Sequence, residues 1–341
     1  MKRSAARLIS SNGFRFLFGT GVSLITLYLV FQKVSFADLG QALALVDPKW
    51  VLLALVSVGI NTLTKVARWK GLMGRPGEGV RWSQALYSFL AGSLLNWIYP
   101  ARLGDLSRAA IIGNQGPGKI FVLGTITLEK IIDTICYALL IFVLLLIIPL
   151  PAWIRNTTQG FALASIAFIF ILGLVVLQRG GLERGMDWFA RQGPGWVSPE
   201  LRSRLITYLR SGLSSLDILQ TGWRIWVIVF WSIVIWATAF LTTFLIVLSF
   251  QLPLASWAQK ITASLLTLIT LQAGISIPSV PGRLGVFEYA CVLALGTFGV
   301  EQALASGFGL LLHGIILIPA ALVGMVSILI LSQGRSPVGR E

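Results

Sequence analysis

The chain has 341 residues, of which 56% are hydrophobic and 12% are charged, so there is too little polar surface to coat a water-soluble globule. The composition excludes an ordinary soluble protein and indicates a polytopic membrane protein. The formal net charge of +14 would favour nucleic acid in a soluble chain, but in a membrane protein basic residues gather in cytoplasmic loops beside anionic lipid. We therefore expect a membrane partner and no nucleic acid.

Metal and cofactor chemistry has little support in the composition. The chain has one histidine and two cysteines, and both cysteines lie in apolar runs. These counts cannot build a histidine or thiolate metal cluster, and they give no disulfide framework. We expect neither a metal nor a cofactor.

The predicted elements are all helices. A membrane crossing needs roughly 20 residues. Stretches of that kind occur at about 16–31, 50–67, 120–148, 160–178, 225–249 and 303–331. Less regular apolar segments follow at about 82–99, 259–279 and 286–299. The first stretch exceeds the apolar core of a signal peptide, roughly 7 to 15 residues, so we expect an uncleaved span.

Basic residues predict the topology. They concentrate before residue 16, between Lys65 and Arg81, between Arg179 and Arg224, and after residue 332, and all four groups should be cytoplasmic, as should both termini. If the segment at about 82–118 crossed the membrane once, residues 179–224 would lie outside. We therefore expect this segment to form a re-entrant hairpin, which enters and leaves the membrane on the same face. The same count predicts a second hairpin at about 259–300 that enters from the opposite face. Two such hairpins form an inverted repeat about an axis in the membrane plane.

A motif, Pro-X-Arg-Leu-Gly, occurs twice and falls at the predicted tip of each hairpin, at residues 100–104 and 281–285. Proline disfavours helical geometry in the residue before it, and glycine permits turns that are closed to other residues. Irregular backbone at membrane depth must face protein or a water-filled cavity. The predicted backbone breaks are Pro100, Gly104, Pro281 and Gly285.

Each motif carries an arginine, Arg102 or Arg283, just before a returning half-helix. Free N–H groups at a helix start bind anions, and a guanidinium matches phosphate through paired hydrogen bonds. Both arginines are therefore expected to bind a headgroup, with a structural ion pair as the alternative. The acids that follow, Asp105 and Glu288, either cap the half-helices, neutralise the arginines or relay protons.

Further charged residues have two readings each. Glu129 and Asp133 lie four residues apart and therefore on one face of a helix. They form either a proton relay or an ordinary charged cluster on the cytoplasmic side. Arg108 either binds the headgroup or extends to the membrane interface. His313, among apolar neighbours in the last span, is expected to be a packing residue rather than a proton carrier.

Residues 179–222 form the one sizeable polar segment, in which leucines recur at helical spacing beside six arginines, with Arg224 just after it. This pattern predicts a cytoplasmic amphipathic hairpin that lies on anionic lipid, with an ordinary loop as the alternative. We expect the whole chain, residues 1–341, to form a single transmembrane domain that includes this segment.

Three blocks carry a family resemblance: residues 96–108 (NWIYPARLGDLSR), 128–133 (LEKIID) and 281–288 (PGRLGVFE). They resemble the transmembrane region of lysylphosphatidylglycerol synthases, also called the flippase-like domain, from about residue 10 to 332. The resemblance implies a bacterial or archaeal inner-membrane protein that moves aminoacylated phospholipid between leaflets. Within the first block, Asn96 joins Arg108 and the motif arginines as a candidate headgroup ligand. The second block in the family more often reads PGGLG.

The expected function is that of a flippase-like transporter. The chain ends at Glu341 without the aminoacyl-transferase domain of full synthases, so we expect no lipid synthesis. Its substrate would be an anionic or aminoacylated phospholipid or another lipid-linked headgroup, which passes through a central cleft between the two motifs. The alternatives are an enzyme acting on a lipid-linked phosphate and a scaffold for a separate lipid-modifying enzyme. The sequence leaves the oligomeric state open.

Overall fold

The fold was analysed in a computed structural model, which describes residues 12–32, 34–99, 102–147, 178–192, 198–215, 222–275 and 280–333, with isolated positions at 160, 163 and 167. This part of the chain is helical, as predicted for an all-α protein. The predicted span at about 160–178 falls almost wholly outside the described residues. The same holds for Pro100 at the first backbone break.

Twelve helices follow one another within the described residues. They are α1 (Asn12–Phe31), α2 (Phe36–Ala44), α3 (Pro48–Met73), α4 (Trp82–Ile98), α5 (Leu103–Gly113), α6 (Lys119–Ile147), α7 (Arg179–Gln192), α8 (Pro199–Leu213), α9 (Gly222–Ser249), α10 (Trp257–Ile275), α11 (Val286–Gly296) and α12 (Gln302–Gln333). Short 3₁₀ turns at Arg75–Gly77 and Pro281–Arg283 precede α4 and α11. Each predicted apolar segment that lies in the described part of the chain coincides with a helix.

Three of these helices, α3, α9 and α12, are long and apolar enough to cross a membrane. They match three of the six predicted full spans. α6 is 29 residues long, but its first half carries Glu129, Lys130 and Asp133. The number of crossings therefore stays a prediction.

The predicted polar segment at 179–222 contains two helices, α7 and α8, so the reading as an ordinary loop is wrong. Arg210 of α8 forms an ion pair with Asp187 of α7. α8 also packs on α6, where a Cβ on Gly124 would lie 2.9 Å from the carbonyl oxygen of Gly212. Leu201, Leu205 and Leu209 leave 50%, 41% and 55% of their surface exposed, as an amphipathic helix requires.

The chain divides into two compact units. The first unit comprises Met1–Thr62, Ser93–Arg102 and Ile235–Val326. Its apolar core draws on α3, α9, α10, α11 and α12, with Phe287, Phe308 and Leu312 among its buried side chains. In this unit α11 packs against both α10 and α1.

The second unit comprises Leu63–Gly92, Leu103–Val234 and Ser327–Glu341. Its core is formed by α3, α4, α5 and α6, and it includes the fully buried Trp69 together with Phe89 and Ile112. In this unit α5 packs against α6. A tight loop joins these two helices, because a Cβ on Gly113 would lie only 2.5 Å from the Cα of Lys119.

The order of helix lengths repeats along the chain. Helices α3 to α6 have 26, 17, 11 and 29 residues, and α9 to α12 have 28, 19, 11 and 32. The Pro-X-Arg-Leu-Gly motif stands at the start of the 11-residue helix in both series. This helix begins at Leu103, inside the first motif, and at Val286, directly after the second.

The two motifs also share a backbone conformation. Arg102 has a φ of 55° and Arg283 a φ of 58°, and among the described residues they alone have positive φ without being glycine. An L-residue in this left-handed region carries a cost of about 1–2 kcal/mol. Non-glycine strain of this kind concentrates at functional sites.

Candidate functional site

A buried ion pair lies at the centre of the second unit. Nη2 of Arg108 donates to Oε2 of Glu129 at 2.9 Å, and both side chains are 3% exposed. Asp105, one helical turn before Arg108, lies 3.7 Å from Nη1. Helices α5 and α6 thus each supply a carboxylate to the same guanidinium.

Aromatic rings enclose the same guanidinium. Its central carbon lies 4.0 Å from the ring centre of Trp69 and 4.5 Å from that of Phe89. Cation–π contacts of this kind are strongest where water is excluded. Trp69 is itself held by a hydrogen bond of 3.3 Å from its Nε1 to Oγ1 of Thr125.

Gly92 makes room for this arrangement. A Cβ at this position would lie 2.5 Å from Cγ of Arg108 and 2.8 Å from the carbonyl oxygen of Gly104. Only glycine lets α4 approach the start of α5 this closely. Gly92 could not be recognised from the sequence, because the close approach depends on the packing of two helices.

A second buried ion pair lies further along α6. Nη2 of Arg68 donates to Oδ1 of Asp133 at 2.6 Å, and Nη1 of Arg68 donates to Oγ of Ser232 at 3.2 Å. Arg68 is fully buried. The charge of Lys65, one turn earlier on α3, also acts on Asp133.

These contacts bear on two expectations. The span expected at about 50–67 continues to Met73 as α3, so Arg68 lies inside this helix, where its partner Asp133 compensates the burial of its charge. The alternative prediction for Arg108 was a side chain that extends to the membrane interface. That alternative is wrong, because only 2% of the residue is exposed and its charge is paired inside the unit.

Glu129 and Asp133 were expected on one face of α6, and this face is buried at Glu129. This residue is 2% exposed, so it does not form part of an ordinary solvated cluster. Asp133 keeps 30% of its side chain exposed. Each carboxylate is bound to an arginine, and a role for either in proton relay stays a prediction.

The first unit holds both motif arginines. Arg283 is half-buried, and its guanidinium carbon lies 5.1 Å from the ring centre of Trp97 on α4. Arg102 is exposed, and its positive charge lies close enough to act on Arg283. Asn96 is half-buried in the last turn of α4, beside Trp97 in the chain.

The second motif is fixed by a carboxylate and by α1. Oε2 of Glu288 accepts a 2.7 Å hydrogen bond from the backbone nitrogen of Gly285 and so caps α11. A Cβ on Gly285, whose φ is 86°, would lie 2.6 Å from Oγ1 of Thr26 and 2.7 Å from the carbonyl oxygen of Ser23. The turn predicted at Gly285 is therefore present, and it requires glycine.

The corresponding prediction for Gly104 is wrong. Gly104 lies inside α5, which begins at Leu103, and the left-handed residue of the first motif is Arg102 instead. Gly104 matters through its carbonyl group, which lies against Gly92 and accepts a 2.7 Å hydrogen bond from Ser107. Pro281 opens the 3₁₀ turn of the second motif, as expected for a break.

Glu288 also contacts the only histidine of the chain. Its Oε1 lies 2.6 Å from Nδ1 of His313 on α12, and the two side chains are 1% and 3% exposed. The imidazole stacks on Phe287 at 4.3 Å between ring centres and lies 5.7 Å from the ring of Trp97. Packing was expected for His313, but the pairing with Glu288 was missed, because 25 residues separate the two in sequence.

No group of three or more His, Cys, Asp or Glu side chains is arranged to hold a metal ion in the described part of the chain. The charged clusters are instead organised as ion pairs between carboxylates and basic groups.

The chain matches the model of the lysylphosphatidylglycerol synthase TM region over residues 16–324, which is nearly its whole length. It belongs to this family. The match includes both Pro-X-Arg-Leu-Gly motifs and both buried ion pairs. No curated protein matches the chain. Membership and the three long apolar helices make this a helical membrane protein related to lipid metabolism or transport.

Proposed function

We propose that the protein is a flippase-like lipid transporter, which moves an anionic or aminoacylated phospholipid, or another lipid-linked headgroup, between leaflets past Arg102 and Arg283. The proposal rests on features that Arg102 and Arg283 have in common. Both have left-handed backbone, both stand before an 11-residue helix, and the charge of one acts on the other.

The like charges of the two guanidinium groups, which belong to the same unit, repel each other. An anion between them would convert the repulsion into two attractions, and phosphate accepts paired hydrogen bonds from arginine. Loss of hydration is the main barrier for a charged headgroup that crosses hydrocarbon. Charge-assisted hydrogen bonds from the two arginines would replace part of that hydration while the acyl chains stay in the bilayer.

The proposed transport path requires an inverted repeat, and contacts between α3 and α9 support one. Arg283 lies 181 positions after Arg102, and the hydrogen-bonded residues Ser57 and Thr238 have the same separation of 181. Asn61 and Thr242 are offset equally. If the repeat extends over α3 to α6 and α9 to α12, Ser57 is therefore equivalent to Thr238, and Asn61 is equivalent to Thr242.

Their contacts are reciprocal, as a two-fold axis demands. Oγ1 of Thr242 donates to Oγ of Ser57 at 2.9 Å, and Nδ2 of Asn61 donates to Oγ1 of Thr238 at 2.9 Å. Exchange of equivalent residues turns one contact into the other, which is the signature of a self-complementary interface. The two helices run antiparallel here, so the implied axis is perpendicular to them and lies in the membrane plane.

In this arrangement the two motif hairpins are re-entrant and start from opposite faces, with both termini of the chain on the cytoplasmic side of a bacterial or archaeal inner membrane. Rocking of one repeat against the other would expose the arginines to each leaflet in turn.

We propose transport rather than catalysis because of where the motif carboxylates lie. Glu288 is bound to Gly285 and His313, and Asp105 lies beside Arg108. Each of these carboxylates therefore already has partners within the fold.

Reconstituted vesicles test the proposal. Fluorescent phosphatidylglycerol with a dithionite-quenchable headgroup label reports translocation between leaflets. Arg102→Gln and Arg283→Gln should each reduce the rate at least about tenfold, since loss of one charged hydrogen-bond donor costs about 1.5 kcal/mol or more. Arg191→Gln, which removes an exposed arginine of α7, is the matched control and should retain the rate. Equal rates for the wild type and both motif variants would contradict the proposal.

A further inference from the structure

His313 has a polar atom that the fold leaves unmatched. Nε2 is buried and has no hydrogen-bond partner among the described residues, while Nδ1 is held 2.6 Å from Glu288. A buried polar atom without a partner is costly and is rare in folded proteins. Nε2 is therefore chemically able to take up a proton or to bind a ligand.

The hydrogen bonds of Glu288 restrict the protonation states of the pair. Oε2 accepts from the backbone nitrogen of Gly285, and Oε1 faces Nδ1. With an ionised carboxylate, Nδ1–H donates to Oε1 and Nε2 carries a free lone pair. A hydronium ion gives a proton to Nε2: one O–H bond of the hydronium breaks, an N–H bond forms, and a water molecule is left. The product is an imidazolium–carboxylate ion pair, and the net charge of the pair changes from −1 to zero.

The surroundings link this change to the second motif. Trp97 is a neighbour of both sites, with its ring centre 5.7 Å from that of the imidazole and 5.1 Å from the guanidinium carbon of Arg283. The charge of Arg102 acts on Arg283 from the first motif, and the charge of Glu288 acts on the thiol of Cys291. α1 contributes the uncharged hydroxyl groups of Ser23 and Thr26 near the cap. α12 itself contains no Asp, Glu, Lys or Arg.

We propose that His313 is a proton-binding site whose occupancy is coupled to binding of a headgroup phosphate at Arg283. Without the proton, the net negative charge of the Glu288–His313 pair offsets the positive charge of Arg283. With the proton, this offset is lost, and Arg283 presents its full charge to the phosphate. Linkage is reciprocal, so phosphate binding favours proton uptake to the same extent.

This inference rests on the proposed function and adds its energy source. A carrier that binds a proton and an anionic headgroup together is driven by a proton gradient, and the charge of the two is balanced during the crossing. Glu288 and His313 are positioning and proton-binding residues in this scheme, whereas Arg102 and Arg283 contact the lipid.

The test measures protons directly. Binding of dioctanoyl-phosphatidylglycerol to the full chain in detergent is followed by titration calorimetry near pH 6.5, in two buffers that differ in ionisation enthalpy. The difference between buffers gives the number of protons taken up per lipid. The wild type should take up a substantial fraction of one proton per lipid, and its affinity should rise about tenfold as the pH is lowered, within the range of ordinary coupling.

Variants separate this role from a structural one. His313→Gln and Glu288→Gln should bind the lipid without proton uptake and lose most of the pH dependence, whereas Glu301→Gln, at an exposed carboxylate of the same unit, should behave as the wild type. The pH dependence of the unaltered protein remains decisive even if a variant fails to fold.

The outcomes distinguish the two proposals. Lipid binding by the wild type without proton uptake, or uptake that persists in His313→Gln, overturns the proton site alone. Proton-linked binding without translocation in vesicles overturns the transport function alone. A wild type that does not bind phosphatidylglycerol overturns both.

Discussion

Ser57 donates a 2.9 Å hydrogen bond to the carbonyl oxygen of Thr238, a residue 181 positions later, and the same offset separates Arg102 from Arg283. Residues that correspond between two repeats touch each other only near the symmetry axis that relates the repeats. In the proposed repeat, the axis would pass close to the Ser57–Thr238 contact, between the membrane-length helices α3 and α9.

The loops that follow the two 11-residue helices provide a test of inversion. Gln115 and Glu301 are exposed in equivalent loops, before α6 and α12 respectively. With Cys136 and Cys291 replaced, Gln115→Cys should react with a membrane-impermeant maleimide from the cytoplasmic side and Glu301→Cys from the opposite side. Labelling of both positions from one face would show that the repeats are not inverted.

The left-handed backbone of the motif arginines predicts that replacing one of them by glycine increases stability and decreases transport. Arg283→Gly should raise the free energy of unfolding by about 1 kcal/mol, because glycine adopts a φ of 58° without the steric cost that arginine carries. The same change should slow phosphatidylglycerol translocation at least about tenfold, as expected from loss of the charged donor. Thermal unfolding in detergent and the vesicle assay measure the two effects.

A destabilised Arg283→Gly protein would show that the left-handed backbone is not a source of strain. Arg283→Gln, which keeps a side chain at the same φ, is the comparison. It should slow translocation without the gain in stability.

The close approach at Gly92 predicts a sharp steric effect. Gly92→Ala introduces a Cβ 2.5 Å from Cγ of Arg108, so the side chain must shift from its place between Trp69 and Phe89. Overpacking of this kind costs about 1–3 kcal/mol, which should lower the thermal midpoint in detergent. Gly59→Ala is the matched control, because no atom lies within 4 Å of the added Cβ in α3. Similar midpoints for the two variants would argue against the described packing of α4 on α5.

The buried ion pair of the second unit should be costly to break from one side. Glu129→Gln leaves the 3% exposed guanidinium of Arg108 without its closest carboxylate, and such changes cost about 3–5 kcal/mol in buried pairs. The double variant Arg108→Met/Glu129→Gln removes the charge as well and should recover part of this loss. Equilibrium unfolding compares the proteins, and a double variant less stable than Glu129→Gln alone would contradict the account.

Helix positions could be predicted from the sequence because apolar runs of crossing length are unambiguous. The expected span at about 225–249 corresponds to Gly222–Ser249, and that at about 303–331 to Gln302–Gln333. The end of α3 was predicted too early, at about residue 67, because Arg68 and Lys70 lower the local hydrophobicity. The compensating partner of Arg68, Asp133, lies on another helix and leaves no local signal.

The candidate site was only partly predictable for a similar reason. The motif itself, with Arg102, Arg283 and the cap by Glu288, follows from local sequence. The turn at Arg102 rather than Gly104 reflects the close packing of α4 on α5 at Gly92, which no local pattern encodes. The pairing of Glu288 with His313 likewise joins two helices, so its discovery needed the fold.

Lipid retention measured by native mass spectrometry tests most directly whether Arg102 and Arg283 together bind a headgroup phosphate. The protein is equilibrated with equal amounts of phosphatidylglycerol and phosphatidylcholine before detergent is removed in the instrument. The account predicts that the wild type retains phosphatidylglycerol in clear preference and that the Arg102→Gln/Arg283→Gln variant loses the preference. Equal retention of the two lipids by the wild type, or an unchanged preference in the double variant, would contradict it.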